Sequence, residues 1–158
     1  MTLQKNVSFS NAITTMIMHP MHANAQGSVH GGELMKIMDN VAGIVGFKHS
    51  GGKGNVVTAR VDELVFIKPV KVGDIITCVG QLTYVGNSSM QIMVKIYVRD
   101  LTNYSEPEIA LSSFFTMVHL KDGIPASVPQ ISPVTKEEEE LYILGERKYL
   151  ENKNKFSK

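Results

Sequence analysis

The sequence predicts an α+β fold in which one long central helix is wrapped by a curved antiparallel β-sheet. Three features lead to this prediction: one segment with helical spacing of apolar residues, several segments in which apolar and polar residues alternate, and short connections between those segments. Parallel strands need crossovers of about a dozen residues or more, so short connections favour antiparallel neighbours. A lone amphipathic helix then buries its apolar side against the sheet.

The central helix is predicted from Gly31 to about Lys48. Apolar residues recur at the spacing of one helix face, at Leu34, Ile37, Met38, Val41, Ala42 and Val45. Gly51 and Gly52 lie just beyond its end, a common position for glycine after a helix. A β-prone run from Ala12 to His19 and a polar loop from Pro20 to His30 precede the helix.

After the helix the apolar spacing changes to every second residue, which predicts strands. The most regular stretch runs from Met90 to Arg99, where alternation predicts one buried face. Three further runs have comparable composition: Asn55 to Ile67, Ile75 to Val85 and Glu108 to Lys121. Turns or loops separate them at residues 72–74, 86–87 and 100–107. We expect the strands to form a meander.

The length of 158 residues suits one compact domain with a tail. Residues 1–125 are predicted to form the domain, and residues 126–158 a C-terminal tail with a surface helix. In that helix the acidic run Glu137 to Glu140 comes early and lysines come late, as the helix dipole favours. An open sheet leaves edge strands and a second face to cover, so we expect at least a dimer.

Composition excludes several classes of function. The chain has 16 basic and 15 acidic residues, which is not the basic surplus typical of nucleic-acid binding. The single cysteine, Cys78, cannot form an internal disulfide, and the first thirty residues lack the layout of a secretory signal. Apolar runs are far shorter than the roughly 20 residues of a membrane-spanning helix. We therefore expect a soluble, cytoplasmic protein without a membrane or nucleic-acid partner.

The segment from His22 to Asp39 carries most of the candidate chemistry. Gly31 and Gly32 begin the helix, where unpaired backbone N–H groups and the positive end of the dipole can polarise a carbonyl. Asp39 borders the apolar stripe, so partial burial would suit it as a general base or nucleophile. The alternatives are that the glycines serve only packing and that Asp39 is a solvated or structural acid.

Other reactive side chains in the chain do not form a recognisable site. Ser28 and His30 are too close in sequence for an obvious catalytic triad, and the histidines lack the partners of a metal site. For His30 a role in loop packing or backbone hydrogen bonding is favoured. Cys78, within a predicted strand, is expected to be an inert core residue.

Three ordered motifs resemble the acyl-CoA hydrolase branch of the hotdog-fold thioesterases. They are residues 19–32 (HPMHANAQGSVHGG) with Asp39 following, the stretch from Arg60 through 66–74 (FIKPVKVGD), and the turn 86–89 (GNSS). The resemblance covers roughly Ile13 to Leu120. It implies a hotdog fold and hydrolysis of acyl-CoA to a free fatty or short-chain acid and CoA, with no metal and no cofactor.

The same resemblance assigns roles to particular residues. Backbone near Gly31 and Gly32 would polarise the thioester carbonyl, and Asp39 would attack it or activate water. Asn24 would orient water or the thioester from the facing subunit, so that a dimer shares each site. The resemblance further implies a trimer of dimers with CoA between subunits. Candidate contacts to CoA or substrate are Arg60, Lys68, Lys71, Ser88, Ser89, Lys95, Arg99 and His30.

Two other functions remain open for this sequence. One is a hydratase or dehydratase on the same fold, because a fold does not determine the reaction. Such enzymes usually pair a histidine with an acid near the helix start, whereas Asp39 lies two turns into the helix. The other is a non-catalytic acyl-CoA-binding regulator, although the presence of both Asn24 and Asp39 favours catalysis.

Overall fold

The computed structural model describes residues 4–155, so the ends of the two predicted ranges, 1–3 and 156–158, lie outside it. Within this range there are two α-helices, α1 (Gly31–His49) and α2 (Lys136–Lys155). The strands are β1 (Gln4–Asn6), β2 (Ala12–Ile17), β3 (Asn55–Val61), β4 (Val65–Phe66), β5 (Ile75–Val85), β6 (Ser89–Arg99), β7 (Glu108–Lys121), β8 (Ile124–Pro125) and β9 (Gln130–Ser132). The predicted central helix, main strands and C-terminal helix are all confirmed.

In the described part of the chain the main sheet has seven strands, and its path runs β2-β5-β6-β7-β3 with β4 and β8 also paired to β7. Its strand pairs are antiparallel, as predicted. The predicted four-strand meander is wrong for β3, which pairs with β7 rather than with its sequence neighbour β5. The strand ends at Val61 instead of Ile67, and the resulting connection of residues 62–74 is long enough to cross the intervening strands.

The core lies between α1 and the concave face of the sheet. All six residues of the predicted helix stripe are buried, as are the alternating apolar residues of β6: Met90, Ile92, Val94, Ile96 and Val98. Gly80 in β5 allows α1 to approach, because a Cβ there would lie 2.7 Å from Val41 and 2.9 Å from Val45. The helix periodicity therefore identified the buried side correctly.

The outer face of the sheet is partly covered by α2. Gly145 is buried in this contact, and a Cβ on it would overlap Thr83 of β5. Tyr149 of the same helix lies against Gly86, where an added Cβ would be 2.8 Å from its ring. As a result Gln91 of β6, which alternation placed on a solvated face, is only 1% exposed.

A small parallel sheet pairs β1, at the start of the described chain, with β9, which precedes α2, next to the end of α1. His49, fully buried there, contacts the Ser10 hydroxyl at 3.1 Å and the Pro129 carbonyl oxygen at 2.6 Å. Burial lowers the pKa of His49 below its ordinary value, an effect that the Pro129 hydrogen bond opposes and the charge of Lys5 reinforces. This contact was not predicted from the sequence.

Candidate active site

Asp39 lies on the exposed side of α1, beside a cavity of about 590 Å³ between the helix and β3. We call this the Asp39 cavity; its lining includes Asp39, Asn40, Gly43, Ile44, Phe47, Val57 and Thr58. The Thr58 hydroxyl donates a hydrogen bond of 2.5 Å to Asp39 Oδ1. That bond holds one carboxylate oxygen and leaves Oδ2 for a reacting group. The predicted partial burial of Asp39 is absent in the single protomer, because no element within residues 4–155 packs over this side of the helix.

A β-bulge in β3 determines which residues reach this cavity. Thr58 of β3 is paired with Met117 of β7. Arg60, two residues further along β3, is paired with Thr116, which is only one residue away from Met117. One extra residue, Ala59, is therefore accommodated between them. Residues two apart in a regular strand point to the same face, but the bulge directs Thr58 to the helix side and Arg60 to the outer face.

The start of α1 presents backbone donors, as predicted, but only in part. The Gly32 N–H donates to His30 Nδ1 at 3.0 Å, so His30 caps the helix and the predicted backbone-bonding role is confirmed. Among residues 4–155, the Gly31 N–H has no acceptor. The Phe66 ring lies over Gly31, where an added Cβ would be 2.9 Å from the ring. Because the Gly32 N–H is already bonded to His30, the Gly31 N–H is the donor that a ligand can use at this helix end.

Asn24 organises the loop before α1. Its Oδ1 accepts hydrogen bonds from the backbone N–H groups of Gln26 at 3.0 Å and Ser28 at 3.1 Å. Because the amide oxygen is engaged, the side-chain NH2 group is the end that can serve a ligand. Asn24 is not among the residues lining the Asp39 cavity of the same protomer. One chain therefore does not bring the two predicted partners together.

The predicted cationic contacts fall in different places. Arg60 Nε donates to Asp62 at 2.7 Å, Lys68 forms an ion pair with Glu108 at 2.7 Å, and Arg99 lies 4.6 Å from the ring centre of Tyr104. Arg99 and Tyr104 line a separate cavity of about 260 Å³ near the opposite edge of the sheet from β3. The backbone of Lys71 bonds to Asp74, and Lys95 faces outward on β6.

Two of the predicted contacts, Arg60 and Ser89, do lie together. They line a groove of about 520 Å³ between the outer face of the sheet and α2, which we call the outer groove. Its other lining residues are Ala59, Gln91, Thr116, Tyr149, Asn152 and Lys153. Ser88 adjoins it in sequence, and its carbonyl oxygen accepts the His119 N–H at 2.9 Å.

Three further observations concern a metal site, the cysteine and the membrane. Within residues 4–155, no group of three or more His, Cys, Asp or Glu side chains is arranged to hold a metal ion. Cys78 is fully buried, and burial raises the pKa of its thiol to about 12, which confirms the predicted inert core residue. Neither helix of the described chain is long and apolar enough to span a membrane.

Sequence reasoning did not identify Thr58, Gln91 or Asn152. Thr58 reaches Asp39 only because of the bulge, which leaves no simple signal in the sequence. Gln91 was assigned to a solvated face, and Asn152 lies in a polar helix without a distinctive motif. A hydroxyl residue on the strand after the helix would have been the one available hint for Thr58.

The sequence model of the thioesterase superfamily matches residues 26–104. The cytosolic acyl coenzyme A thioester hydrolase of Rattus norvegicus is 38% identical over 151 residues, covering 94% of this chain and 39% of that protein. An uncharacterised acyl-CoA thioester hydrolase of Bacillus subtilis is 33% identical over 147 residues, covering 92% of this chain and 84% of that protein. The chain belongs to the thioesterase superfamily, and it spans about two fifths, 39%, of the rat relative's length.

Solved structures match over nearly the whole chain. An acyl-CoA hydrolase from Staphylococcus aureus, solved with butyryl-CoA, CoA and CoA disulfide, has a TM-score of 0.87 at 33% identity, covering 96% of this chain and 92% of that one. That enzyme was also solved with an aspartate, an asparagine or a threonine replaced by alanine. An apo-hexameric acyl-CoA thioesterase has a TM-score of 0.88 at 31% identity, covering 99% of each chain. The predicted hotdog fold is confirmed.

Proposed function

We propose that this chain is an acyl-CoA thioesterase that hydrolyses acyl-CoA to a free acid and CoA. The observation that carries the proposal is Asp39, a carboxylate held by the Thr58 hydroxyl at a cavity large enough for a ligand. The similar proteins named as acyl-CoA thioester hydrolases support the same reaction. No metal or cofactor is needed, because a carboxylate and backbone donors suffice for acyl transfer.

The reaction follows from the groups at the helix start and at Asp39. The thioester carbonyl oxygen accepts from the Gly31 N–H, which stabilises the negative charge that develops on it. Asp39 either removes a proton from water, which attacks the carbonyl carbon, or attacks that carbon itself to form an anhydride that water then hydrolyses. The C–S bond breaks and its electron pair stays on the sulfur of CoA. The thiolate takes up the proton that Asp39 removed from water in the first route, or a proton from the water that hydrolyses the anhydride in the second. Oxygen incorporation from labelled water in a single turnover distinguishes the two routes.

Two of the residues replaced in the Staphylococcus aureus enzyme, the asparagine and the aspartate, support assigning Asn24 and Asp39 to one site. In that enzyme the replaced asparagine precedes the replaced aspartate by the same number of residues as Asn24 precedes Asp39. Thr58 is the threonine that contacts Asp39 here. In this proposal Thr58 is a positioning residue, because it acts through the Asp39 carboxylate.

We propose that Asn24 reaches Asp39 from a second protomer. Apolar side chains around Asp39 are exposed in one chain: Ile44 is 50% exposed, Phe47 47% and Val57 41%. Strand β3 ends the strand order of the sheet, so one of its edges is open to a partner. A dimer that covers this face would bury the apolar side chains and complete the site. A trimer of dimers is our further proposal, supported by the hexameric neighbour.

For CoA, we propose that Arg60 and Ser89 contact its phosphates, because they line one groove. The remaining candidates from the sequence stay predictions: Gly32, His30, Lys68, Lys71, Ser88, Lys95 and Arg99. We also propose a cytoplasmic location, since the rat relative is named as cytosolic.

The test is CoA-thiol release from a panel of short- to long-chain acyl-CoAs. We expect turnover by the wild type and a fall in kcat of about 100-fold or more for Asp39→Asn, the range for losing an acid–base group. Asp122→Asn, in an exposed turn and not among the residues that line the cavity, is the matched control. If the wild type binds acyl-CoA but releases no thiol, the thioesterase proposal is wrong and the non-catalytic acyl-CoA-binding regulator takes its place. If it hydrates enoyl-CoA and releases no thiol, the hydratase takes its place.

A further inference from the structure

Arg99, the last residue of β6, has a buried donor that the fold itself does not use. Its Nε atom is buried and has no hydrogen-bond acceptor among the described residues. Arg99 lines the cavity of about 260 Å³ near the β2 edge of the sheet, which we call the Arg99 cavity. A buried N–H group without an acceptor destabilises the folded chain, so a donor of this kind beside a cavity indicates that a ligand accepts from it.

The Tyr104 ring covers one face of the Arg99 guanidinium. The centre of the ring lies 4.6 Å from Arg99 Cζ. The N–H groups of a guanidinium point outward in its own plane, so a ring stacked on its face does not engage them. The contact therefore orients the planar group and leaves its donors available to an acceptor in the cavity.

The loop that carries Tyr104 adopts this arrangement at a conformational cost. Tyr104 has a φ of 29°, in the left-handed region that residues with a Cβ rarely adopt. Asp100 Oδ1 accepts hydrogen bonds of 2.7 Å from both the backbone N–H and the hydroxyl of Thr102, which hold the first turn of the loop. Strained backbone of this kind occurs where a binding site requires a particular geometry. The loop thus supports the placement of Tyr104 on Arg99.

The lining of the Arg99 cavity matches a small carboxylate. Within the described chain, Arg99 is the one cation that lines it, and no acidic side chain does. A guanidinium can bind a carboxylate through two parallel N–H bonds. Ile75, Pro107 and the Tyr97 ring offer apolar contacts to a short hydrocarbon chain. The volume is below the roughly 300–1,000 Å³ of sites for drug-sized ligands, so the ligand is small.

We propose that the Arg99 cavity binds a short-chain carboxylic acid, with Arg99 pairing with the carboxylate and Tyr104 positioning Arg99. Arg99 lines neither the Asp39 cavity nor the outer groove, so this site is separate from both. The proposal assigns Arg99 to a ligand other than CoA, in contrast to the prediction from the sequence. Free acids of this class are products of the proposed reaction, but binding needs no turnover and the proposal does not depend on it.

Titration of the full-length protein with sodium butyrate, followed by saturation-transfer NMR at constant ionic strength, tests the proposal. Arg99→Gln removes the charge and the guanidinium donors. Arg147→Gln makes the same change at an exposed residue of α2 that lines a different cavity, and it is the matched control. We expect Arg99→Gln to weaken butyrate binding about tenfold or more, while Arg147→Gln binds like the wild type.

A second variant tests the role of the loop. Tyr104→Leu removes the ring from Arg99 without changing the charge, so we expect butyrate binding to weaken by a smaller factor, about threefold. Sedimentation shows whether each variant keeps the oligomer size of the wild type. If Arg99→Gln does not keep it, Tyr104→Leu decides between the outcomes.

The comparison of the two arginine variants locates the bound acid, because neither arginine lines the Asp39 cavity. If the wild type does not bind butyrate, or if Arg99→Gln binds it like the wild type, the proposal is wrong. If inorganic phosphate binding depends on Arg99 and butyrate binding does not, the assignment to a carboxylate is wrong. If Arg99→Gln weakens the binding of CoA and not of butyrate, the sequence-based prediction is right instead. If the wild type releases no thiol but butyrate binding depends on Arg99, the proposed function fails and the Arg99 cavity stands.

Discussion

The Asp39 cavity and the outer groove lie on opposite sides of strand β3, and they differ in what covers them. Beside Asp39 the apolar side chains of α1 and β3 are exposed, whereas in the outer groove α2 closes over Gln91. The bulge at Ala59 separates the two by directing Thr58 to one side and Arg60 to the other. One chain thus supplies a covered groove, whereas the apolar side chains beside its carboxylate are exposed.

Among the variants that test this difference between the two cavities, we expect the largest loss of activity from removing the NH2 group of Asn24. Asn24→Asp keeps an oxygen for the backbone N–H groups of Gln26 and Ser28 but removes the NH2 donor. We expect kcat for thiol release to fall about 100-fold or more, as for loss of an oxyanion donor, with an unchanged oligomer by sedimentation. Activity near the wild-type level would mean that Asn24 only shapes its loop.

The next effect concerns the hydroxyl that holds Asp39. Thr58→Val preserves the side-chain shape and removes the 2.5 Å hydrogen bond to the carboxylate. Hydrogen bonds to charged groups contribute about 1.5–3 kcal/mol, so we expect kcat to fall about tenfold to a hundredfold. Thr15→Val, in β2 at the far edge of the sheet, is the control and should keep its rate. If Thr58→Val and Thr15→Val have equal kcat values for thiol release, Thr58 does not contribute to the site.

A smaller effect is expected where α2 meets the sheet. Gly145→Ala places a Cβ against Thr83 and 2.9 Å from the Tyr84 Cβ. Overpacking costs about 1–3 kcal/mol, against about 1 kcal/mol gained in helix propensity, so the free energy of unfolding should fall by up to about 2 kcal/mol. Urea denaturation measures the change, and the exposed Glu151→Ala should stay within about 0.5 kcal/mol of wild type. If Gly145→Ala leaves the free energy of unfolding unchanged, α2 packs on the sheet more loosely than these distances indicate.

The smallest effect concerns His49, outside both cavities. Its pKa in the folded chain is lowered from the ordinary 6.5, chiefly by burial, so the unfolded chain binds more protons in mild acid. The stabilisation is present above about pH 6.5 and is lost as the pH falls toward the folded pKa. Urea unfolding at pH 7.5 and 5.5 should show a larger loss for wild type than for His49→Gln. Equal losses would contradict a lowered pKa.

The helix and strand predictions succeeded because local periodicity records which side of each element is buried. The apolar stripe of α1 and the alternating apolar residues of β6 were both predicted to be buried, and both are. The position of β3 beside β7 was missed, because pairing between distant strands depends on a connection whose path no local pattern specifies. Thr58 was missed for a related reason, since a bulge changes which face a residue occupies without changing the residue types.

Helix α2 shows a different limit. Its charge pattern predicted a helix, but its polar sequence gave no sign that Gly145 would bring it onto β5 and bury Gln91. Asp39 and Asn24 were found through motifs and a family resemblance. That they do not meet within one chain became apparent only from the lining of the Asp39 cavity.

Subunit mixing tests the central claim, a site made from Asp39 of one protomer and Asn24 of another, most directly. Asp39→Asn and Asn24→Asp chains, each deficient in thiol release, are co-expressed with different tags and the mixed oligomers are isolated. A mixed dimer contains one intact site if the two residues come from different chains, so we expect about half of the wild-type rate per dimer. If mixed oligomers of normal size remain as slow as the parent variants, the two residues do not act together across the interface.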